Sequence, residues 1–219
     1  HVIEAGVDAA KIVVIPNGIN KGVLDKFDSY RAQSNVGGEI TIGFTGFINP
    51  WHRLDLALDA IARIGDPKIK FLCVGEGDIR SELERQAKTL GISDQVVFTG
   101  LVSRDRVFDY VSRFDIALQP AVTAYASPLK LFEYMACGAL IVAPDMPNIR
   151  EVLSTDNALL FYPERPDDFQ ETLIDALKNY SQYAPKRQAA RSSIDEQGLT
   201  WQHNARRVIA LVEDQRESS

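Results

Sequence analysis

Short runs of apolar and β-branched residues alternate with helical segments from residue 39 to residue 183. The run "EITIGFTGFI" is typical of a strand, and the next segment, "HRLDLALDAIARIG", has apolar residues three and four positions apart, as one face of a helix requires. Helical segments also follow the strand-like runs "IKFLCVGEG", "QVVFTGLV", "DIALQPA", "ALIVAPD" and "NALLFYP". Apolar strands that alternate with helices form a parallel sheet covered on both faces. The pattern therefore predicts an α/β fold, a doubly wound, Rossmann-like domain over residues 39–183.

The two ends of the chain depart from this alternation. Residues 1–38 hold the strand-like run "KIVVIPNGI" and then a polar segment, so we expect a linker with one strand. Residues 184–219 predict two helices, the second with an apolar face that includes Trp201, Val208 and Ile209. Nothing before residue 39 is large enough for a further domain. We therefore expect both C-terminal helices to pack towards a missing N-terminal domain.

Composition and charge exclude several classes of function. The net charge of −6 argues against a nucleic-acid-binding protein, which usually has a basic excess. Cys73 and Cys137 each lie in an apolar segment and are predicted to be reduced core thiols. The three histidines lack the spacing of metal ligands, so no metal site is predicted. The sequence contains no run of about 18 apolar residues, so no membrane span is predicted.

Glycines begin several of the loops that the pattern places after the strands. Gly46 follows the first strand, Gly75 and Gly77 follow the second, and Gly100 follows the third. Ligands of doubly wound sheets bind at this carboxyl edge, where a glycine allows a close backbone approach or a positive φ. Each glycine alone is explained by a tight turn, but their register along one edge favours a cleft.

The segment "SPLKLFEYMACG" combines charges with a predicted helix start. Ser127 is the predicted N-cap, with Pro128 and Leu129 as the first helical residues. Free amides and the helix dipole favour an anion there, Lys130 adds a positive charge, and Glu133 could accept hydrogen bonds from sugar hydroxyls. The same spacing is also explained by an exposed Lys–Glu pair that contributes only ~0.3–0.5 kcal/mol. The spacing alone does not decide between a ligand site and a surface ion pair.

His52 and Arg53 lie in the predicted loop after the first strand. The adjacent arginine favours an anion contact for His52, while a catalytic base or an exposed loop histidine are the alternatives. Because histidine has a usual pKa of about 6.5, we expect the contribution of His52 to anion binding to grow towards pH 6. The contribution of Lys130 should stay constant.

The order of these segments resembles the C-terminal half of glycosyltransferase family 4. The resemblance runs from about residue 11 to residue 213 and rests on "KIVVIPNGI", "IGFTGFINPWHRLDLALDAI", "VGEGDIRSELERQAKTLGISDQVVFTGLV" and "SPLKLFEYMACGALIVAPDMPNIREVL". Members of that family are retaining enzymes with a two-domain B-type fold, whose C-terminal Rossmann-like domain binds a nucleotide-sugar donor. The same fold is therefore expected here.

Three residues of the predicted helix and its loop correspond to positions of the family's E-x7-E motif. Glu133 resembles the second glutamate, which binds the ribose of the donor. The first glutamate would fall eight positions upstream, where this chain has Tyr125. This departure bears on recognition of the transferred sugar. Lys130 resembles the lysine that meets phosphate in the "SPxKxxEYMA" variant of the motif.

The glycine-bearing loops also carry family positions. Phe47 stands where the family usually has an arginine, and His52 and Arg53 stand in place of a Lys-Gly pair. The resemblance implies that His52 and Arg53 supply charge to the diphosphate. Leu101 and Val102 stand where the base is usually held through backbone contacts.

The resemblance implies a sugar transfer, with retention, from a UDP- or GDP-linked donor to an acceptor hydroxyl, without a metal or other cofactor. Lys130, Glu133 and His52 are the expected catalytic residues, and cell-surface polysaccharide or glycoconjugate synthesis is the expected setting. The acceptor would bind to the missing N-terminal domain, so we expect this chain alone to be inactive. We expect a cytoplasmic protein that reaches the inner face of a membrane only through that missing half.

Two alternatives remain open. A sugar-nucleotide epimerase of the same fold also binds UDP-sugars, although the "SPLKLFEYMACG" helix argues against it. A non-catalytic nucleotide-sugar-binding scaffold is consistent with Phe47, Arg53 and Tyr125 at motif positions.

Overall fold

The computed structural model describes residues 3–31, 38–165 and 167–217 of the chain. Six strands form one sheet in the order β3-β2-β1-β4-β5-β6, and every neighbouring pair is parallel. The strands are β1 (Ile40–Thr45), β2 (Ile69–Val74), β3 (Val96–Phe98), β4 (Ile116–Leu118), β5 (Leu140–Pro144) and β6 (Leu159–Phe161). The predicted doubly wound α/β fold is confirmed. Its strand order reverses between β1 and β4, which opens a crevice at the carboxyl edge.

Helices cover both faces of this sheet. One face packs against α2 (Leu54–Ile64), α3 (Arg80–Thr89) and α7 (Asp168–Lys178). The other face packs against α1 (Lys21–Arg31), α4 (Arg104–Val111), α5 (Lys130–Cys137), α6 (Pro147–Arg150) and α8 (Ala184–Glu196), and α9 (Trp201–Glu217) follows. Short 3₁₀ helices lie at Ala9–Lys11, Pro50–His52, Ser93–Gln95 and Tyr180–Tyr183. Cys73 and Cys137 are buried free thiols, as predicted.

The N-terminal segment differs from the predicted linker. The run from Lys11 to Ile19 forms no strand, because its backbone pairs only in an isolated bridge between Ile19 and Thr200. The polar segment after it forms α1, whose Leu24 and Phe27 are buried in the core beside α5. These two apolar residues, three positions apart, give the helix one buried face.

The segment that precedes α1 is hydrogen-bonded to the segment that precedes and begins α9. The Ile19 amide donates to the Leu199 carbonyl at 3.0 Å, and the Trp201 amide donates to the Ile19 carbonyl at 3.1 Å. Asn204 adds a bond from Nδ2 to the carbonyl oxygen of Pro16 at 2.8 Å. The segment before α1 and the start of α9 are therefore fixed to each other.

The two C-terminal helices behave differently. In α8, Ala190 and Ile194 are fully buried in the core that includes α5, so one face of this helix packs on the sheet domain. In α9, the side chains of Val208, Ile209 and Val212 are about half exposed, from 48% to 56%. The prediction that the two C-terminal helices pack towards a further domain stays a prediction.

Candidate functional site

Loops after three strands meet the start of α5 around a cavity of about 280 Å³ at the carboxyl edge of the sheet. Gly46 follows β1, Gly75 follows β2, and Leu101 with Val102 follow β3. Lys130, the first residue of α5, closes the cavity. The structure thus brings together five of the residues that the sequence predicts for the site.

The glycines of this edge allow the loops to touch. Gly46 has a φ of +131° and Gly75 one of +147°, and a Cβ atom at Gly75 would lie 2.0 Å from the carbonyl oxygen of Gly46. A side chain at Gly75 would force the two loops apart, whereas one at Gly46 would meet Lys130. Gly77 has a different role, because a Cβ atom there would lie 2.3 Å from the carbonyl oxygen of Ile48. It supports the loop after β1 from behind rather than lining the cavity.

Lys130 is a largely buried cation at the cavity wall. Its Nζ atom lies 4.0 Å from the centre of the Phe44 ring, a cation–π contact. Among the described residues, no carboxylate forms a salt bridge with it and no acceptor forms a hydrogen bond with it. Burial lowers the pKa of Lys130 to about 8, and Cys73 and Glu133 partly oppose this shift. A desolvated cation that lines a cavity without an ion-pair partner is a candidate binding site for an anion.

His52 packs on the same aromatic ring. Its imidazole meets Phe44 edge to face at 5.0 Å between ring centres, and Nδ1 accepts a hydrogen bond from the Asn49 amide at 3.4 Å. Burial and the nearby charge of Lys130 lower the pKa of His52 to about 4. The expectation that His52 gains charge towards pH 6 is therefore wrong in this environment.

Phe44 is a site residue that the sequence does not reveal. It lies in β1 with no exposed surface, and it supports both Lys130 and His52. Its position in an apolar strand gives only the signal of a core residue, so the alternation of strands could not identify this second role.

Arg53 is not brought to the cluster around Phe44. Its φ of +50° turns the backbone into the left-handed region, where it ends the 3₁₀ helix and begins α2. The guanidinium binds Asp55 through Nε at 3.1 Å and Nη2 at 3.0 Å. The side chain lines a separate cavity of about 180 Å³ that also holds Arg165.

Glu133 faces a second, larger cavity of about 510 Å³ between α1, α4 and α5. Arg104 and Lys26 line the same cavity, and Val107 lines both this cavity and that of Lys130, so the two adjoin. Burial raises the pKa of Glu133, while Arg104 and Lys130 partly oppose the shift. Its carboxylate has no hydrogen-bond donor among the described residues and is free to meet a ligand hydroxyl.

The start of α5 differs from the predicted cap. The helix begins at Lys130, because the Leu131 and Phe132 amides bond three residues back, to Pro128 at 3.1 Å and Leu129 at 3.2 Å, in a turn that precedes the helix. The Ser127 hydroxyl instead accepts a hydrogen bond from Nδ2 of Asn17 at 3.0 Å. The prediction of Ser127 as N-cap and Pro128 as first helical residue is therefore wrong. Leu129 is about half exposed and lines the larger cavity.

The loop between β4 and α5 carries Tyr125, whose side chain is 90% exposed. Asn148 of α6 holds this loop, because its Nδ2 donates to the carbonyl oxygens of Ala126 at 2.6 Å and Thr123 at 3.1 Å. No sequence pattern points to Asn148, since its contacts join residues more than twenty positions apart.

Two searches of the described part of the chain gave negative results. In residues 3–31, 38–165 and 167–217, no group of three or more His, Cys, Asp or Glu side chains is arranged to hold a metal ion. None of the helices in those ranges combines the length and apolar character that crossing a membrane requires.

The fold and the cavity define a doubly wound α/β domain with a candidate ligand site at the carboxyl edge of a parallel sheet. Residues 39–179, more than half of the chain, match the profile of the family described as "Glycosyl transferases group 1". The chain belongs to this family.

Relatives of known name agree with this assignment. The chain is 27% identical over 204 residues to the gpi3 subunit of phosphatidylinositol N-acetylglucosaminyltransferase from Schizosaccharomyces pombe, covering 91% of this chain and 43% of that protein. It is 28% identical over 222 residues to D-inositol 3-phosphate glycosyltransferase from Rhodococcus erythropolis, covering 91% and 48%. The chain thus spans less than half the length of these two relatives.

Solved structures share the fold. The crystal structure of Anabaena Alr3699/HepE in complex with UDP superposes with a TM-score of 0.77 at 21% identity, over 96% of this chain and 60% of that one. The C-terminal domain of a glycosyl transferase group 1 protein, LpcC from Francisella tularensis, superposes with a TM-score of 0.67 at 18% identity, over 82% of this chain and 97% of that domain.

Proposed function

We propose that this chain is the donor-binding domain of a retaining glycosyltransferase of family 4, which moves a sugar from a UDP- or GDP-linked donor to an acceptor hydroxyl. The observation that carries the proposal is Lys130, a desolvated cation without an ion-pair partner among the described residues, in a cavity that adjoins the one holding Glu133. Diphosphate and ribose are neighbours in such a donor, and the two cavities present a matching cation and carboxylate.

The diphosphate, the ribose and the base of the donor each have a proposed place. Lys130 meets the diphosphate and stabilises the charge that develops on it as the leaving group. Glu133 accepts hydrogen bonds from the ribose, and the backbone at Leu101 and Val102 meets the base. His52 supports Lys130 through Phe44 as a neutral group.

The remaining assignments follow from the same proposal. The acceptor binds to a different domain of the complete enzyme, and the donor-binding domain alone does not transfer sugar. The reaction uses no metal or other cofactor, because Lys130 supplies the positive charge that the diphosphate needs. The complete enzyme acts in the cytoplasm on cell-surface polysaccharide or glycoconjugate acceptors and contacts a membrane only through its other domain.

The test is calorimetry on this chain with UDP, GDP, uridine and guanosine. One of the diphosphates is expected to bind at least about tenfold more tightly than its nucleoside, because a charge-assisted contact contributes about 1.5–3 kcal/mol. Lys130→Met should remove most of that difference. Equal affinities for each diphosphate and its nucleoside would contradict the anion site.

Tyr125 supports a second candidate, a scaffold that binds the nucleotide-sugar without catalysis. Its aromatic side chain, 90% exposed, replaces the carboxylate that the family uses on the transferred sugar. Transfer activity in the full-length protein separates the two: product formation excludes the scaffold, and tight donor binding without product excludes the transferase. An epimerase would be identified by its product.

A further inference from the structure

The loop of residues 119–129, called here the donor-sugar loop, lies between β4 and α5 and carries Tyr125. Its backbone forms a turn that is closed by a hydrogen bond from the Ala126 amide to the Thr123 carbonyl at 3.1 Å. Tyr125 lies inside this turn, so the orientation of the turn decides where its ring points.

Asn148 holds both ends of this turn from outside the loop. Its Nδ2 atom donates to the carbonyl oxygen of Ala126 at 2.6 Å and to that of Thr123 at 3.1 Å. An amide NH₂ has two donors, and both are used on the same turn. Gln119 adds a third contact, from Nε2 to the carbonyl oxygen of Ala121.

The orientation of the Asn148 amide is set by the loop. Its Oδ1 atom is buried and has no hydrogen-bond partner among the described residues. Turning the amide over would bring Oδ1 against the carbonyl oxygens of Thr123 and Ala126, where two acceptors repel. Buried acceptors are normally paired. The Asn148 oxygen is left unpaired in the orientation that lets its NH₂ group hold the turn.

We propose that Asn148 is the positioning residue of the donor-sugar loop: by clamping the turn 123–126 it fixes how Tyr125 meets the transferred sugar. This inference rests on the proposed function and assigns a specificity role within it. The clamp touches neither Lys130 nor Glu133, so it acts on the sugar and not on the nucleoside diphosphate. Asn148 thus sets the ratio of affinities between a nucleotide-sugar and its parent diphosphate.

The experiment measures that ratio in the unchanged chain, Asn148→Ala and Asn148→Asp. Calorimetry uses UDP with UDP-glucose and UDP-N-acetylglucosamine, and GDP with GDP-mannose. The sugar-nucleotide is expected to bind about three- to tenfold more weakly in Asn148→Ala, because two neutral hydrogen bonds are lost. The diphosphate should change by less than about twofold, because its proposed contacts lie elsewhere. Asn148→Asp should lose at least as much, because its carboxylate faces two carbonyl oxygens.

Asn157→Ala is the matched control for a general loss of stability. Asn157 is a buried residue whose side-chain amide donates to Ser193 Oγ at 3.1 Å and accepts from the Ser154 amide at 2.7 Å, away from the donor-sugar loop. It should lower the melting temperature and leave the affinity ratio unchanged. Amide hydrogen exchange provides a ligand-free measurement, in which Asn148→Ala should speed exchange at Ala126 and Asn157→Ala should not.

The outcomes separate this inference from the function on which it rests. If the chain binds UDP or GDP but Asn148→Ala leaves the ratio or the Ala126 exchange unchanged, the inference is overturned and the proposed function stands. If the unchanged chain binds neither diphosphate, the proposed function is overturned, and the sugar role of Asn148 with it.

Discussion

The Nζ atom of Lys130 lies 3.1 Å from the position that a Cβ atom would take at Gly46. Because Gly46 also has a φ of +131°, Gly46→Ala combines backbone strain with crowding of the ammonium group. We expect the strain to lower the free energy of unfolding by about 1–3 kcal/mol. UDP or GDP affinity should fall as well, since Lys130 is pushed from its place over Phe44. Urea unfolding and calorimetry measure the two effects.

Gly91→Ala is the control for strain without crowding. Gly91 has a φ of +72°, and a Cβ atom there would meet nothing within 4 Å. It should lose stability and keep its nucleotide affinity. Equal affinities in the two variants would show that crowding of Lys130 has no consequence for the site.

Diphosphate affinity is expected to fall between about pH 7 and pH 9. Lys130 has a pKa of about 8 in the free protein and loses its proton in this range, whereas a terminal phosphate, with a pKa of about 6, is already ionised. Lys130→Arg should remove the fall, because a guanidinium stays charged. His52→Gln should leave the pH dependence of diphosphate affinity between about pH 6 and pH 8 unchanged, since the pKa of His52 is about 4. A fall that persists in Lys130→Arg would assign the titration to another group.

The same lysine links function to stability. Its pKa in the folded state lies below the usual 10.5, so the unfolded chain binds more protons between about pH 8 and pH 10.5. The free energy of unfolding should therefore rise with pH across that window, and Lys130→Met should be more stable than the unchanged chain at pH 7. Urea titrations at about pH 7 and pH 9.5 check both expectations. A less stable Lys130→Met would mean that the contact with Phe44 outweighs desolvation.

Glu133→Gln should weaken binding of the ribonucleotide more than of its 2′-deoxy counterpart. A hydrogen bond from a hydroxyl to a carboxylate contributes about 1.5–3 kcal/mol, and the amide retains only part of it. The variant should fold normally by circular dichroism, because replacing a buried carboxylate removes its desolvation penalty. Equal losses for both nucleotides would place Glu133 away from the ribose.

Arg53→Gly tests whether Arg53 takes part in binding. Glycine relieves the left-handed backbone but adds freedom to the unfolded chain, and the exposed pair with Asp55 contributes only about 0–1 kcal/mol. The free energy of unfolding should change by less than about 1 kcal/mol. Diphosphate affinity should stay within about twofold, because the guanidinium faces Asp55. A tenfold loss in affinity would show that Arg53 takes part in diphosphate binding.

Substitutions of two isoleucines distinguish the contributions of α8 and α9 to stability. Ile194→Ala in α8 removes a fully buried side chain and should lower the free energy of unfolding by about 2–5 kcal/mol. Ile209→Ala in α9, at a position 56% exposed, should change it by less than about 0.5 kcal/mol. Thermal or urea unfolding of the isolated chain provides both values. A large loss from Ile209→Ala would mean that α9 already has its partner within this domain.

The sequence predicts the sheet because the physics of its strands is local. Runs such as "ALIVAP" are apolar on both faces, and such runs alternating with helices have one common solution. The Lys11–Ile19 run has the same composition but forms no strand, because a strand needs a neighbouring ladder that composition does not supply. Val13 and Val14 are exposed there. The helix α1 escaped prediction because its sequence is mostly polar, and among its residues 21–27, whose burial is described, only Leu24 and Phe27 are buried.

The site was predictable to the extent that its residues follow strands directly. Gly46 and Gly75 do so, and the topology brings them to one edge with Lys130, which begins the helix after β4. Phe44 and Asn148 were not predictable, since their roles depend on contacts between segments distant in the chain. The pKa of His52 was missed for the same reason, because burial and a neighbouring charge are properties of the fold.

The parallel bridge between Ile19 and Thr200 has a mechanical consequence. A force applied between the segment before Ile19 and the segment after Thr200 pulls the two bridged segments, which run parallel, in opposite directions along their length. Their hydrogen bonds, Ile19 to Leu199 and Trp201 to Ile19, are then loaded together in shear rather than opened one after another. Tension between these two segments is therefore borne by the bridge, and the six-stranded sheet carries no load until the hydrogen bonds of the bridge break.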